Sequence, residues 1–219
     1  GSTSNITATE ILVGSDWRAS LPNSFNEMVL GDTSNIEADT WIVAGAKARA
    51  EVKFAGSGTV NLSGRNNAGT DLFVGYNAAT TGSVADGAAD FSGGTFDATL
   101  DEIILGYHNA GTGGGNGTLT FDAGTVTANS LTLSQPSGTG TSSNPEKSVG
   151  TLHMRGGAMT VDGDVSDGGG VSHAWIDGGN LDVAGDLVVD DLRVGAAVEA
   201  TVGSRSATVS ASGNVAIGN

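Results

Sequence analysis

The sequence predicts an all-β fold, a three-sided β-solenoid made of short stacked coils. Three observations predict it: a strand–turn–strand segment recurs along the chain, Gly-rich turns interrupt it every few residues, and apolar residues alternate with period two between turns. Gly supplies 36 of 219 residues, about twice the ~7% of ordinary proteins. Charged residues are 15% and hydrophobic residues 38%, so a core is available and the composition is not that of a disordered chain.

The recurring segments are GAADFSGGTFDA from Gly87, GTLTFDAGTVTA from Gly117, GTLHMRGGAMTV from Gly150 and SHAWIDGGNLDV from Ser172. Phe91, Phe121, Met154 and Ile176 align, at offsets of 30, 33 and 22 residues, and EVKFAGSGTVNL places Phe54 as a weaker earlier copy. The first strand of each copy points Ala89/Phe91, Leu119/Phe121, Leu152/Met154 or Ala174/Ile176 inward. A glycine pair or Ala-Gly then turns the chain, because glycine adopts the positive φ of a sharp corner at little cost. The second strand points Phe96/Ala98, Val126/Ala128, Met159/Val161 or Leu181/Val183 inward.

A third strand ends in an apolar pair and usually Gly: LFVG at Leu72, IILG at Ile103, LTLS at Leu131, LVVD at Leu187. Similar runs stand at Ile11, Met28, Leu192 and Val215. Three strands in a shortest repeat of 22 residues make one turn of a three-sided coil. A helix is excluded by the Gly-rich turns. A β-sandwich is the runner-up, but it does not explain why equivalent positions recur as columns. Residues 1–50 form an N-terminal cap or first coils, with SDWRASLPNSFN from Ser15 as the capping segment, and 51–219 the repeats of one continuous domain. Residues beyond the shortest repeat fall at one corner, after the third strand: Tyr76 to Asp86, Tyr107 to Asn116 and Gln135 to Val149.

The net charge of −15 excludes the basic footprint that nucleic acid requires and disfavours anionic membrane surfaces. Absence of cysteine removes disulfides, thiolate metal sites and a Cys nucleophile. No apolar run approaches the ~18 residues of a membrane span. Open solenoid ends expose strand edges that template further pairing, so end-to-end self-association is expected.

The segments GTLTFDAGTVTANSLTLS and GGNLDVAGDLVVDDLRVG resemble the β-helical passengers of bacterial autotransporters, in particular their autotransporter-associated β-strand repeats. The resemblance runs from about Phe54 to Gly218. It implies an exported bacterial protein on the cell surface or outside it, a right-handed β-helix, and an adhesive or scaffolding role. It brings no catalytic residues.

No catalytic residue is assigned. Basic residues are nine and scattered; His153 and Arg155 form a close pair, with Asp177 aligned one coil after Arg155 as an ion-pair partner. No Gly-x-Ser-x-Gly elbow and no phosphate-cradling glycine motif is present. The best candidate binding residues are aromatic. Tyr76 and Tyr107, the only two tyrosines, both follow a strand-ending glycine and would stack on consecutive coils; they either pin the corner loops or offer a platform to a sugar ring or partner side chain. Trp175 is a separate exposed aromatic. Asp162, Asp164 and Asp167 cluster in DGDVSDGGG as candidate calcium ligands, hard oxygens on a turn, although Asp in turns also serves the backbone. An outward threonine ladder, as ice binding needs, is absent from the first strand: its outward column reads Lys53, Asp90, Thr120, His153, Trp175. Asn5, Asn61 and Asn116 stand in N-x-Ser/Thr sequons.

The expected function is therefore that of a non-catalytic extracellular structural or adhesive solenoid: a surface protein, adhesin stalk or self-associating fibre subunit, with a polysaccharide or a host or matrix surface as partner. The alternatives are a polysaccharide-binding or polysaccharide-degrading β-helix and a phage tail fibre domain.

Overall fold

The computed structural model describes residues 1–16, 25–79, 84–108, 113–136, 148–195 and 207–218. Its strands are β1 (Thr3–Asp16), β2 (Phe25–Leu30), β3 (Thr33–Ala46), β4 (Arg49–Phe54), β5 (Thr59–Ser63), β6 (Thr70–Asn77), β7 (Ala85–Phe91), β8 (Thr95–His108), β9 (Gly115–Phe121), β10 (Thr125–Pro136), β11 (Val149–Val161), β12 (Val165–Asp167), β13 (Val171–Val183), β14 (Leu187–Val189), β15 (Asp191–Val194), β16 (Ala207–Ala211) and β17 (Val215–Ile217). Every pairing among them is parallel. A sandwich of hairpins would need antiparallel partners, so the fold is a β-solenoid.

Three ladders define three faces. The first face stacks β2, β4, β7, β9, the starts of β11 and β13, and β15. The second stacks the starts of β1, β3, β8 and β10 with β5, the ends of β11 and β13, and β16. The third stacks the ends of β1, β3, β8 and β10 with β6, β12, β14 and β17. The strands of residues 1–50 lie in the same ladders as those of 51–219, so the first coils are solenoid from Thr3 onward; the proposed capping segment falls partly on residues 17–24, outside the described residues.

The aligned column is present and dry. Phe91, Phe121, Met154 and Ile176 are neighbours on successive coils and each is 0% exposed. Phe91 also meets Phe54 edge-on, Trp41 at 6.2 Å and Phe96 stacked at 4.0 Å. The second strands slide, however: Val126 lies beside Ala98 rather than Phe96. Phe96 folds onto Phe91, and Gly124 passes so close over it that a Cβ there would lie 2.2 Å from the Phe96 carbonyl oxygen. On the third face Ile11, Trp41, Leu72, Ile103, Leu131, Val165, Leu187 and Val215 form one column. The similar runs at Met28 and Leu192 belong to the first face; an apolar pair before a turn marks the end of any face, not the third alone.

Where the third face hands over to the first, the coil is at its narrowest. Gly14, Ala44, Gly75, Gly106 and Ser134 occupy one column on five successive coils, all at positive φ. Opposite them, the first inward position of the first face reads Ala50, Gly87, Gly117, Gly150, Ser172. At Gly117 a Cβ would lie 2.0 Å from the Val74 carbonyl oxygen and 2.4 Å from the Gly106 nitrogen. Main chain meets main chain there, which no side chain can share.

Candidate binding surface

Tyr76 and Tyr107 follow Gly75 and Gly106 and pair in register. Their rings stack at 4.4 Å and 14°. A third ring completes the stack: Phe73 lies against the other side of Tyr76 at 4.9 Å and 19°. Gly45 holds the place equivalent to Tyr76 on the preceding coil, so no ring stacks on Tyr76 from that position. Both faces of Tyr76 are thus covered, and burial, with Tyr107 and Glu102 beside it, raises its hydroxyl pKa. Gln135 of the following coil pairs with Tyr107 in register. Phe73 could have been found from the sequence as an outward aromatic one coil beyond a glycine.

Replacing both tyrosines, Tyr76→Ala/Tyr107→Ala, is expected to lower the melting temperature, the ring pairing alone contributing ~0.5–1.5 kcal/mol beyond burial. Thermal melts and glycan binding of parent and variant check this together; binding lost without any fall in melting temperature would assign the rings to a ligand.

Beside this stack lies a carboxylate group. Thr70 pairs with Leu100 but Leu72 with Ile103, so Asp71 faces both Asp101 and Glu102 across a bulge. Burial, then the neighbouring Asp101, raises the Asp71 pKa; burial, then Asp71 and Asp101, raises that of Glu102. A raised native pKa means the folded chain holds the proton more tightly than the unfolded one. The cost is present at neutral pH and disappears as pH falls through the carboxylate range. Asp71→Asn should therefore melt higher than the parent at neutral pH, with the gain shrinking on acidification; a gain independent of pH would sink this account. Asp39, on the preceding coil, is the opposite case: its hydrogen bond from Arg65 lowers its pKa.

Trp175 is half-buried on the outward side of the first face, in the expected column Lys53, Asp90, Thr120, His153, Trp175, continued by Arg193. Its indole N–H donates to Asp191 at 2.9 Å, the Arg193 guanidinium lies 4.6 Å over its ring, and His153 and His173 pack against it at 5.8 and 5.2 Å. Asp177 meets His153, Nε2 to Oδ2 at 2.8 Å, rather than standing opposite Arg155. The reason is an irregularity: Met154 pairs with Ile176 but Arg155 with Gly178. The group ties three coils together.

The three aspartates after β11 do not converge. The Asp164 carboxylate accepts the backbone N–H of Asp186 at 2.8 Å, and Asp186 repeats the bond to Asn214 at 2.7 Å. Asp167 accepts the N–H of Gly169 at 3.0 Å, closing its own turn. Asp162 donates its backbone N–H to Ala128. Among the described residues no group of three or more His, Asp or Glu side chains is placed to hold a metal ion.

The second face carries ladders that the sequence reading missed. Thr3, Thr33, Thr59 and Thr95 form one outward column. Beside it, Asn35 donates to Asn5 at 2.9 Å and Asn61 to Asn35 at 2.8 Å, so the side chains of two sequon asparagines are engaged in an amide ladder. The signal was the repeated Thr-x-Asn at Thr3, Thr33 and Thr59, hidden because the alignment was built on the first strand.

Comparison with family models, with curated proteins and with solved structures finds no match.

Proposed function

We propose that this chain is a non-catalytic structural or adhesive solenoid of the cell exterior, a stiff spacer or adhesin stalk of the kind that autotransporter passengers provide. The observation that supports this best is the direction in which its surface side chains bond. They run mainly along the stack, coil to coil: Asn5–Asn35–Asn61, Lys53 with Glu27, Arg49 with Asp86, Asp164–Asp186–Asn214. Such bonds stiffen an axis, as stacked repeats require, and do not assemble an acid, a base and a nucleophile about one point.

The test is chemical. Prolonged incubation with a panel of neutral and acidic polysaccharides is expected to release neither reducing ends nor unsaturated uronates. Cleavage of any of them would overturn the proposal in favour of the polysaccharide-degrading alternative. A second reading, polysaccharide binding, is favoured by a shallow groove on the second face lined by Asn35, Glu37, Asn61, Asp97, Thr125 and Thr127. Its amides, carboxylates and hydroxyls match sugar hydroxyls, and retention on immobilised polysaccharide, reduced in Asn61→Ala, is its expected sign.

A further inference from the structure

Tyr76 and Tyr107 are the two tyrosines of the chain, and the fold holds them side by side. Each follows a glycine at positive φ, Gly75 and Gly106, in a corner where main chain packs on main chain. A Cβ at Gly75 would lie 1.9 Å from the Asn116 carbonyl oxygen, and one at Gly106 2.3 Å from that of Val149. Each tyrosine also precedes a buried residue, Asn77 at 1% and His108 at 0% exposed. Asn77 donates its side-chain amide to the Gly114 carbonyl at 2.8 Å. The backbone beneath both rings is therefore pinned on either side.

The two phenols meet ring against ring. β6 and β8 run parallel with Tyr76 opposite Tyr107, so both side chains leave the sheet in the same direction from backbones about 4.8 Å apart. The ring centroids are 4.4 Å apart at 14°. Tyr107 is among the groups that raise the Tyr76 hydroxyl pKa, as two hydroxyls on the same side of the stack would. On its other face Tyr76 meets Phe73 at 4.9 Å, a ring with no hydroxyl. Each tyrosine thus has one phenol within reach in its own chain, and that is the other. Both are half-buried rather than enclosed, which leaves them accessible to a small oxidant.

We propose that Tyr76 and Tyr107 form a cross-linking site, joined by a carbon–carbon bond between their rings when the chain meets a one-electron oxidant of the kind a haem peroxidase makes from hydrogen peroxide. Each phenol gives up one electron and its hydroxyl proton. That leaves a phenoxyl radical with unpaired density on the ring carbons beside the oxygen, the Cε atoms. The radicals combine Cε to Cε. Each joined carbon then loses its hydrogen as a proton while each oxygen takes one up, so both rings end as phenols. The pair has lost two hydrogen atoms, and one hydrogen peroxide, accepting two electrons and two protons, becomes two water molecules. Stacking supplies the encounter that separate phenols must find by diffusion. The product is a covalent staple between neighbouring coils, tying residues 31 positions apart in sequence and restricting the unfolded chain as any cross-link does.

The test exposes dilute, folded protein to a haem peroxidase with a limiting amount of hydrogen peroxide. The chain is expected to stay a monomer on a denaturing gel, gain the blue fluorescence of dityrosine and lose the mass of two hydrogen atoms. Proteolysis is expected to release one linked peptide pair, carrying Tyr76 and Tyr107, and the oxidised chain to melt at a higher temperature than the parent. Tyr107→Phe keeps the ring but not the hydroxyl, and is expected to lose the linked monomer entirely, with far-ultraviolet circular dichroism confirming its fold. A parent chain with no linked monomer, under conditions that convert free tyrosine in a parallel tube, would overturn the proposal. So would a link found only between chains, or a monomer product of the same mass from Tyr107→Phe.

Discussion

Gly117→Ala is expected to be among the most destabilising single methyl additions to the chain. Overpacking typically costs ~1–3 kcal/mol where side chains can move aside. At Gly117 the obstacles are the Val74 carbonyl oxygen and the Gly106 nitrogen, at 2.0 and 2.4 Å from the added carbon. The third face would have to retreat from the first, disturbing the pairing of β6 with β8 and of β7 with β9. A loss beyond about 3 kcal/mol follows, which at ~2–4 °C per kcal/mol for a chain of this size is readable in a thermal melt. Gly56→Ala is the control, with no atom within 4 Å of the added carbon. Equal melting of the two variants would mean that the faces are not in contact at this corner.

Phe121→Ala should cost ~3–5 kcal/mol, through lost burial and the cavity left behind. Phe121 is 0% exposed, lies between Phe91 and Met154 in the column, and meets Phe96 edge-on at 6.1 Å. Both residues above and below lose a partner. Since repeat stability is a sum of nearest-neighbour terms, the damage concentrates at one level of the stack, and chemical denaturation is expected to broaden or divide into two steps. Ile176→Val, lower in the same column, should cost only ~0.5–1.5 kcal/mol. A Phe121 variant no less stable than the Ile176 variant would remove the column as the spine of the core.

The coil was legible because its inward positions obey a simple rule. Phe91, Phe121, Met154 and Ile176 are large, apolar and followed by glycine turns, and the third-face run from Leu72 to Leu187 repeats the same grammar. What escaped was set by neighbours rather than by the strand itself. The two-residue slide of Val126 follows from where the Phe96 ring settles. The bulge opposite Asp71 depends on one extra residue in the adjoining strand. The partner of Asp177 changed for the same reason, an irregular pairing after Met154. The tyrosine pair was visible from its two glycines, but Phe73, the ring that closes off Tyr76, was not sought on a different strand position of the same coil.

The spacing between stacked partners varies widely while the columns hold. Lys53 and Asp90 are 37 residues apart, Asp90 and Thr120 are 30, and His153 and Trp175 are 22. The chain keeps count in turns, not in residues, and most of the slack is discharged at the exit from the third face. The strands on either side of that corner keep their register while the number of residues between them changes. The columns themselves ask only for bulk and greasiness, a demand that Phe, Met and Ile meet interchangeably. Two descendants of one ancestor could thus retain the same stack while sharing neither period nor motif, and kinship among such chains would be written in three dimensions long after it had faded from the linear text.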